Sequence, residues 1–255
     1  GLEVHAWVNT YILWSSSNKP KNSNHLYYTH PDWMEVNIHG KSDSNINIDM
    51  PQSLNWEGIF LSPNHPQVNN YLSSVFSELI DSYDIDGLHF DYIRFQDDIY
   101  GYNKVGRNIF EARYGFDPFD IERNIISTKY GWSLSEIDSV KQIWQNYKTN
   151  NINNLISNIK NRIDSLDKKI KLSAAVKANP LISKKKWSQD WKSWIDQGLV
   201  DFVVTMNYDP SFFNFNKNIE SIRKEIDNVD LNKVIMGIAV YNQDALDVSD
   251  KIYLS

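Results

Sequence analysis

The chain has 255 residues, of which 41% are hydrophobic and 23% are charged, an ordinary balance for a globular protein that excludes disorder. Its net charge is −6, which argues against a nucleic-acid partner or an anionic membrane partner, because both need a positive field. It has no cysteines, which excludes disulfides, thiolate metal sites and a cysteine nucleophile.

The chain opens on an alternating run, Leu2 to Asn9, that is typical of a β-strand. No targeting segment is visible. No apolar run approaches the roughly 20 residues that span a bilayer, so we expect no membrane contact by this segment. The chain stops at Ser255 inside a helical pattern. Because both ends look cut, we expect a fragment of a longer chain.

Two stretches rich in Asn, Ser, His and Gly, at about 14–58 and 96–132, are predicted to be irregular insertions. The other predicted elements are, in chain order, a strand at 59–63, a helix from 64 or 69 to 80, a strand at 88–95, a helix at about 135–167, a strand at 170–176, a helix at 187–197, a strand at 202–208, a helix at 219–227 and a strand at 234–241.

Within the 187–197 helix, the spacing of Trp187, Trp191 and Trp194 places them on one face, which we expect to pack inward. Gly198 follows where a C-terminal cap glycine belongs.

Strands with near-continuous apolar character, such as 202–206 and 234–238, are typical of a parallel sheet covered on both faces. A doubly wound sheet and a β/α barrel both meet this pattern. No glycine-rich phosphate loop follows a strand, which favours the barrel. We therefore predict an α/β fold of the (β/α)8 TIM-barrel type, incomplete at both ends, with residues 1–255 forming a single domain.

In such a barrel the functional residues lie at the C-terminal ends of the strands. Asp91 is the outstanding candidate, because a carboxylate inside an apolar strand is costly unless it is paired or hydrogen-bonded. His89 shares its face, since side chains alternate along a strand. The alternative is a structural role for Asp91, as a salt-bridge or hydrogen-bond partner. Arg94 has two readings as well, a substrate contact or an ion pair with Asp91.

The six histidines show no ligand spacing, so we predict no metal site and no cofactor. A serine-hydrolase elbow is also absent. His5 shares a face with Trp7 and Asn9, and it reads either as a core residue or as part of a binding surface.

Several segments together resemble one family. They are Leu2-Glu3-Val4-His5-Ala6-Trp7-Val8-Asn9, His30-Pro31-Asp32-Trp33, Leu61-Ser62-Pro63, Asp86-Gly87-Leu88-His89-Phe90-Asp91-Tyr92-Ile93-Arg94-Phe95 and Val203-Val204-Thr205-Met206-Asn207-Tyr208. In this order they are similar to the family-10-like glycosyl hydrolases, bacterial β/α-barrel proteins. The resemblance covers essentially the whole chain and implies a bacterial glycan substrate, with peptidoglycan glycan strands as the best guess. It also implies an exported, periplasmic or envelope-associated protein.

Two departures from the family pattern matter. The family often has an aspartate at the position of Ser62, and some members have a second aspartate at the position of Tyr92. A chitinase-type mechanism is not supported, because Ile93 stands where those enzymes carry their acidic glutamate.

Glycoside hydrolysis usually needs two carboxylates, and we predict that these are Asp91 and Asp209, with Asp97, Asp98 and Glu111 as weaker candidates for the second. The predicted substrate-binding residues are His5, Trp7, Asn9, His89, Tyr92, Arg94, Asn179, Asn207, Tyr208 and Tyr241. The alternative function is a glycan-binding barrel without catalysis.

Overall fold

The computed structural model describes residues 1–45, 56–123, 125–166 and 168–255. Its contacts divide the chain into two compact units. The first comprises Gly1–Val8, Phe76–Ile93 and Ile156–Ser255, and the second comprises Asn9–Val75 and Arg94–Leu155.

The strands are β1 (His5–Asn9), β2 (Ile12–Trp14), β3 (Ile59–Phe60), β4 (Gly87–Asp91), β5 (Lys171–Lys177), β6 (Phe202–Met206) and β7 (Val234–Gly237). The α-helices are α1 (Leu26–Thr29), α2 (Pro66–Ser82), α3 (Lys104–Tyr114), α4 (Pro118–Glu122), α5 (Ile126–Tyr130), α6 (Leu134–Asp164), α7 (Pro180–Trp187), α8 (Trp191–Asp196), α9 (Phe212–Glu225) and α10 (Ala245–Leu254).

A five-stranded sheet in the order β1-β4-β5-β6-β7 forms the centre of the first unit. The pairs β4–β5, β5–β6 and β6–β7 are parallel, as the apolar strands predict. The order never reverses among these strands, whereas a doubly wound sheet reverses at its switch point. The prediction of a mainly parallel α/β sheet is therefore confirmed.

Burial on both faces explains the sequence of the central strands, because β5 is buried at five consecutive positions, 172–176. Leu172, Ala174 and Val176 of β5 are fully buried, and Phe90 of β4 packs edge to face on Phe76 at 5.0 Å. The helix predicted at about 135–167 is α6, and Asp167 lies outside the described residues. Gly198 follows α8 with a φ of 65°, as its predicted cap position requires.

The prediction of one helix at 187–197 is wrong, because two helices share this region. Ser188 adopts a left-handed φ of 52° and ends α7 at Trp187. The side chain of Gln189 then accepts a hydrogen bond from the Lys177 N–H at 2.8 Å, which fixes the break. Trp191 and Trp194 of α8 are fully buried, whereas Trp187 belongs to a different helix and is half-buried.

The second unit contains the antiparallel pair β2–β3 and helices α3, α4 and α5. The region 96–132 is therefore more regular than the sequence predicts. Asn103 and Asp117 supply the reason, because their side chains cap the N-termini of α3 and α4. Aromatic side chains fill the core of this region, namely Tyr102, Phe110, Phe116, Phe119, Trp144 and Tyr147.

Candidate active site

Asp91 is the last residue of β4, at the C-terminal edge of the parallel sheet. Its Oδ1 accepts the backbone N–H of Tyr92 at 2.7 Å, and its Oδ2 accepts the indole N–H of Trp7 at 3.2 Å. Each carboxylate oxygen thus has its own donor, which holds the group in one orientation. These hydrogen bonds position Asp91, and its catalytic role stays a prediction.

The backbone turns sharply at Tyr92, which has a φ of 51°. This left-handed conformation is costly for a residue with an aromatic side chain, and such outliers cluster at functional sites. The turn ends β4 four residues earlier than the sequence predicts. It also directs the Tyr92 N–H back onto Asp91, so the observed outlier has a definite structural effect.

His89 is buried on the same face as Asp91. Its Nδ1 lies 2.8 Å from the Ser173 hydroxyl on β5, and its ring lies edge to face with Trp7 at 4.8 Å. Burial lowers the pKa of His89 below its usual value, and the charge of Asp91 opposes this effect. His89 is therefore uncharged at neutral pH and packs against the Trp7 ring. Because His89 is buried, it is poorly placed for the predicted substrate contact.

Tyr208 and Tyr241 follow β6 and β7 on the same edge of the sheet and are exposed. Partial burial raises the pKa of the Tyr208 phenol, and the nearby groups of Asp91 and Tyr241 raise it further. The structure thus brings Tyr208 close to Asp91. These two tyrosines, together with Trp7, give the site its exposed aromatic surface.

A cavity of about 200 Å³ adjoins Tyr208. It is lined by Lys177, Ala178, Asn179, Ile182, Trp187, Met206, Asn207, Tyr208, Asp209 and Asn218. Asn207 is buried and donates to the Phe215 carbonyl at 3.1 Å while accepting from Asn218 at 2.9 Å. Asn179 caps α7 by accepting the Ile182 N–H at 3.1 Å. Both predicted asparagines therefore shape the cavity wall through their hydrogen bonds.

Asp209 begins the segment that leads into α9. Its Oδ1 accepts the Ser211 N–H at 2.9 Å, and its Oδ2 accepts the Asn214 side chain at 3.0 Å. The buried Lys251 amine donates to its backbone carbonyl at 2.9 Å. Both carboxylate oxygens thus help to order the turn before α9, and the predicted catalytic role of Asp209 stays a prediction.

His5 lies away from the site. Its ring lies 6.2 Å from that of Phe202, the first residue of β6, and its Nε2 lies 3.3 Å from Glu3. A Cβ on Gly87, the first residue of β4, would lie 2.3 Å from His5. His5 therefore packs at the N-terminal edge of the sheet, opposite Asp91, and the prediction of a substrate contact is corrected.

Arg94 belongs to the second unit and is buried. Its guanidinium donates to Glu57 at 2.6 Å and to the Phe95 carbonyl at 3.2 Å. This network fits neither predicted role of Arg94, because the ion pair is with Glu57 and the side chain is only 2% exposed. Asn9, at the end of β1, also belongs to the second unit, and its predicted substrate contact stays a prediction.

Sequence reasoning missed the place of Trp187. The helical spacing of the three tryptophans grouped it with the core, although it lines the cavity. The polar run Ser188-Gln189-Asp190 between Trp187 and Trp191 was the available signal for a helix break.

The comparisons with known proteins agree with this architecture. The whole chain, residues 1–255, matches the family described as glycosyl hydrolase-like 10, and the protein belongs to this family. Curated relatives named glycosyl hydrolase DigH, from Escherichia coli K12 and Shigella flexneri, are 23% identical over 235 residues. The match covers 82% of this chain and 44% of each relative, so the chain spans less than half of their length.

Among solved structures, the chain is similar to the PgaB (BpsB) glycoside hydrolase domain from Bordetella bronchiseptica. The TM-score is 0.60 at 14% identity, and the match covers 99% of this chain and 67% of that one. At this identity the likeness shows a shared fold, and the function has to be argued from the site.

In the part of the chain that the structure describes, no group of three or more His, Asp or Glu side chains is placed to hold a metal ion. No helix among the described residues has both the length and the apolar character that a membrane crossing requires.

Proposed function

We propose that the protein is a glycoside hydrolase acting on a bacterial polysaccharide, with peptidoglycan glycan strands as the substrate. Membership of a glycosyl hydrolase-like family supports the reaction class. The observation that carries the proposal is Asp91, held by two donors at the C-terminal edge of the parallel sheet beside Trp7 and Tyr208. The unreversed strand order supports a β/α barrel, of which this sheet is an arc. A peptidoglycan substrate would place the protein in the cell envelope.

Asp91 suits the role of base or nucleophile. Both of its oxygens accept hydrogen bonds, whereas a general acid must donate a proton to the leaving group from one of them. Trp7 and Tyr208 beside it present aromatic faces on which sugar rings can stack. Asp209 stays the predicted second carboxylate of a two-carboxylate mechanism, and its oxygens also accept hydrogen bonds, at the start of α9.

The engagement of Asp209 also favours a second candidate, a glycan-binding protein without catalysis. Incubation with purified glycan strands, followed by mass spectrometry, separates the two functions. Soluble products with a new reducing end support the hydrolase. Retention of the protein on intact strands, without products, supports the binding protein.

The decisive variant is Asp91→Asn, which keeps the shape of the side chain and removes its charge. We expect turnover to fall at least about 100-fold, the scale of a lost acid or base, while the melting temperature stays near that of the wild type. Asp86→Asn is the matched control, because Asp86 lies at the other end of β4 and its Oδ2 accepts the Val4 N–H at 2.7 Å. Near-normal turnover per folded molecule in Asp91→Asn, with a lowered melting temperature, would make Asp91 structural.

A further inference from the structure

A buried charge anchors α10. Lys251 is fully buried, and it is the one buried residue of this helix, which the structure describes throughout. The large hydrophobic side chains of Leu246, Ile252 and Tyr253 on the same helix are exposed. A helix that packs on a core normally turns its apolar face inward and its charges outward. The most deeply buried anchor of α10 is instead an amine.

The Lys251 amine is fully hydrogen-bonded. It donates to the backbone carbonyls of Asp209 and Pro210, each at 2.9 Å, and to the side-chain oxygen of Gln243. An ammonium group has three donors, so all of them are used. The centroid of the Phe215 ring lies 5.3 Å from the amine, within reach of a cation–π contact. These partners offset the cost of burying the charge.

Two loops at the C-terminal edge of the sheet meet at this amine. Asp209 and Pro210 follow β6 and lead into α9, and Gln243 follows β7. The Gln243 side chain also donates to the Ala239 carbonyl, so the segment after β7 is tied at two points. A single buried side chain of α10 therefore connects the loop after β6 to the loop after β7.

These two loops carry the exposed tyrosines of the candidate site. Tyr208 directly precedes Asp209, and Tyr241 lies between Ala239 and Gln243. Hydrogen bonds fix direction and distance, whereas apolar contacts are not directional. The amine therefore fixes the backbone on which both rings are mounted, and one of these rings lies close to the carboxylate at the end of β4.

We propose that Lys251 is a positioning residue, which acts through the two loops to hold Tyr208 and Tyr241 in the arrangement that receives a glycan beside Asp91. Because Lys251 is fully buried, it touches no glycan and acts through the backbone alone. The proposal rests on the proposed glycan-directed function and adds to it a residue outside the site.

The first test follows the two tyrosine rings directly and needs no glycan. Fluorine NMR of the protein labelled with fluorotyrosine reports the surroundings of each ring, and the variants Tyr208→Phe and Tyr241→Phe identify the two signals. Lys251→Met removes the three donors and keeps a side chain of similar length, and we expect it to shift or broaden both signals. The control Asp250→Asn, at the exposed preceding position of α10, should leave both signals in place.

The second test measures glycan affinity, in the Asp91→Asn background to limit turnover. We expect Lys251→Met to raise the dissociation constant for purified glycan strands about tenfold, the effect of losing one well-placed ring contact, and Asp250→Asn to leave it unchanged. A merely structural role of Lys251 would lower the melting temperature and the folded fraction. It would not change the dissociation constant of the molecules that remain folded.

Gln243→Ala is a milder second variant, because it removes one of the three acceptors and leaves the amine in place. It should shift the Tyr241 signal and weaken glycan binding less than Lys251→Met does. If Lys251→Met does not fold, Gln243→Ala decides the question.

The outcomes are distinguishable. Unchanged tyrosine signals in the folded variant overturn the positioning role and leave the proposed function intact. Shifted signals with an unchanged dissociation constant overturn the role of Lys251 in glycan binding. A wild-type protein that neither binds nor cleaves glycan strands overturns the proposed function, and the tyrosine signals then still test whether Lys251 holds the two loops.

Discussion

Replacing Glu35 with glutamine tests how burial controls the stability of the second unit. Glu35 is fully buried, and its Oε2 accepts the Gly101 N–H at 2.6 Å. Burial raises the pKa of its carboxyl group to about 8, and the charge of nearby Asp43 contributes to the rise. The hydrogen bond from the Gly101 N–H and the charge of Lys148 oppose it. Glutamine has the shape of the protonated side chain and cannot ionise.

The magnitude follows from the shift in pKa. A carboxyl group whose folded-state pKa is raised from 4.5 to about 8 keeps its proton in the folded protein while the unfolded chain releases it. Its stabilising effect is complete below the unfolded-state pKa and is lost as the pH rises toward the folded-state value. At about 1.4 kcal/mol per pH unit, Glu35 alone lowers the free energy of unfolding by at most about 2.5 kcal/mol between pH 5 and pH 7.

Chemical denaturation at pH 5 and pH 7 measures this effect. We expect Glu35→Gln to be near wild-type stability at pH 5 and more stable than the wild type at pH 7. Part of the pH dependence should remain, because burial also raises the pKa of Asp43 to about 7. Glu111→Gln, a substitution at an exposed position of α3, is the matched control. An unchanged difference between the two pH values in Glu35→Gln would refute the reasoning.

Two further substitutions test the corrected roles of predicted residues. Gly87→Ala should lower the free energy of unfolding by about 1–3 kcal/mol, because its Cβ would lie 2.3 Å from His5. Adding His5→Ala should recover part of this loss in a double-mutant cycle, whereas strictly additive effects would contradict this packing. Arg94→Leu should destabilise the protein by about 1–3 kcal/mol because it removes the charged hydrogen bonds to Glu57 and to the Phe95 carbonyl. Normal stability with lost glycan binding would restore the predicted substrate contact.

Much of the fold could be predicted from the sequence because each element carries its own pattern. Apolar runs such as 202–206 predict strands covered on both faces, and their parallel pairing is confirmed. The periodicity of α6 and the glycine at 198 likewise predict a long helix and a helix end. The boundaries were less predictable, since the end of β4 depends on the backbone turn at Tyr92.

The candidate site, like the fold, could be predicted from the sequence only in part. The position of Asp91 at the end of an apolar strand was visible in the sequence, because strand alternation and the barrel rule depend on local pattern. The hydrogen bond from Trp7 that holds Asp91 was not visible in the sequence, because Trp7 is 84 positions away in the chain.

By itself, the sequence determined the parallel α/β sheet, the family resemblance and the place of Asp91, because hydrophobic periodicity and a local motif are properties of short segments. Only the tertiary structure decided that Asp209 orders a turn, that His5 packs at the far edge and that Trp187 lines a cavity. The physical reason is that the role of a polar or aromatic side chain depends on its burial and on its partners, and these come from segments far apart in the chain.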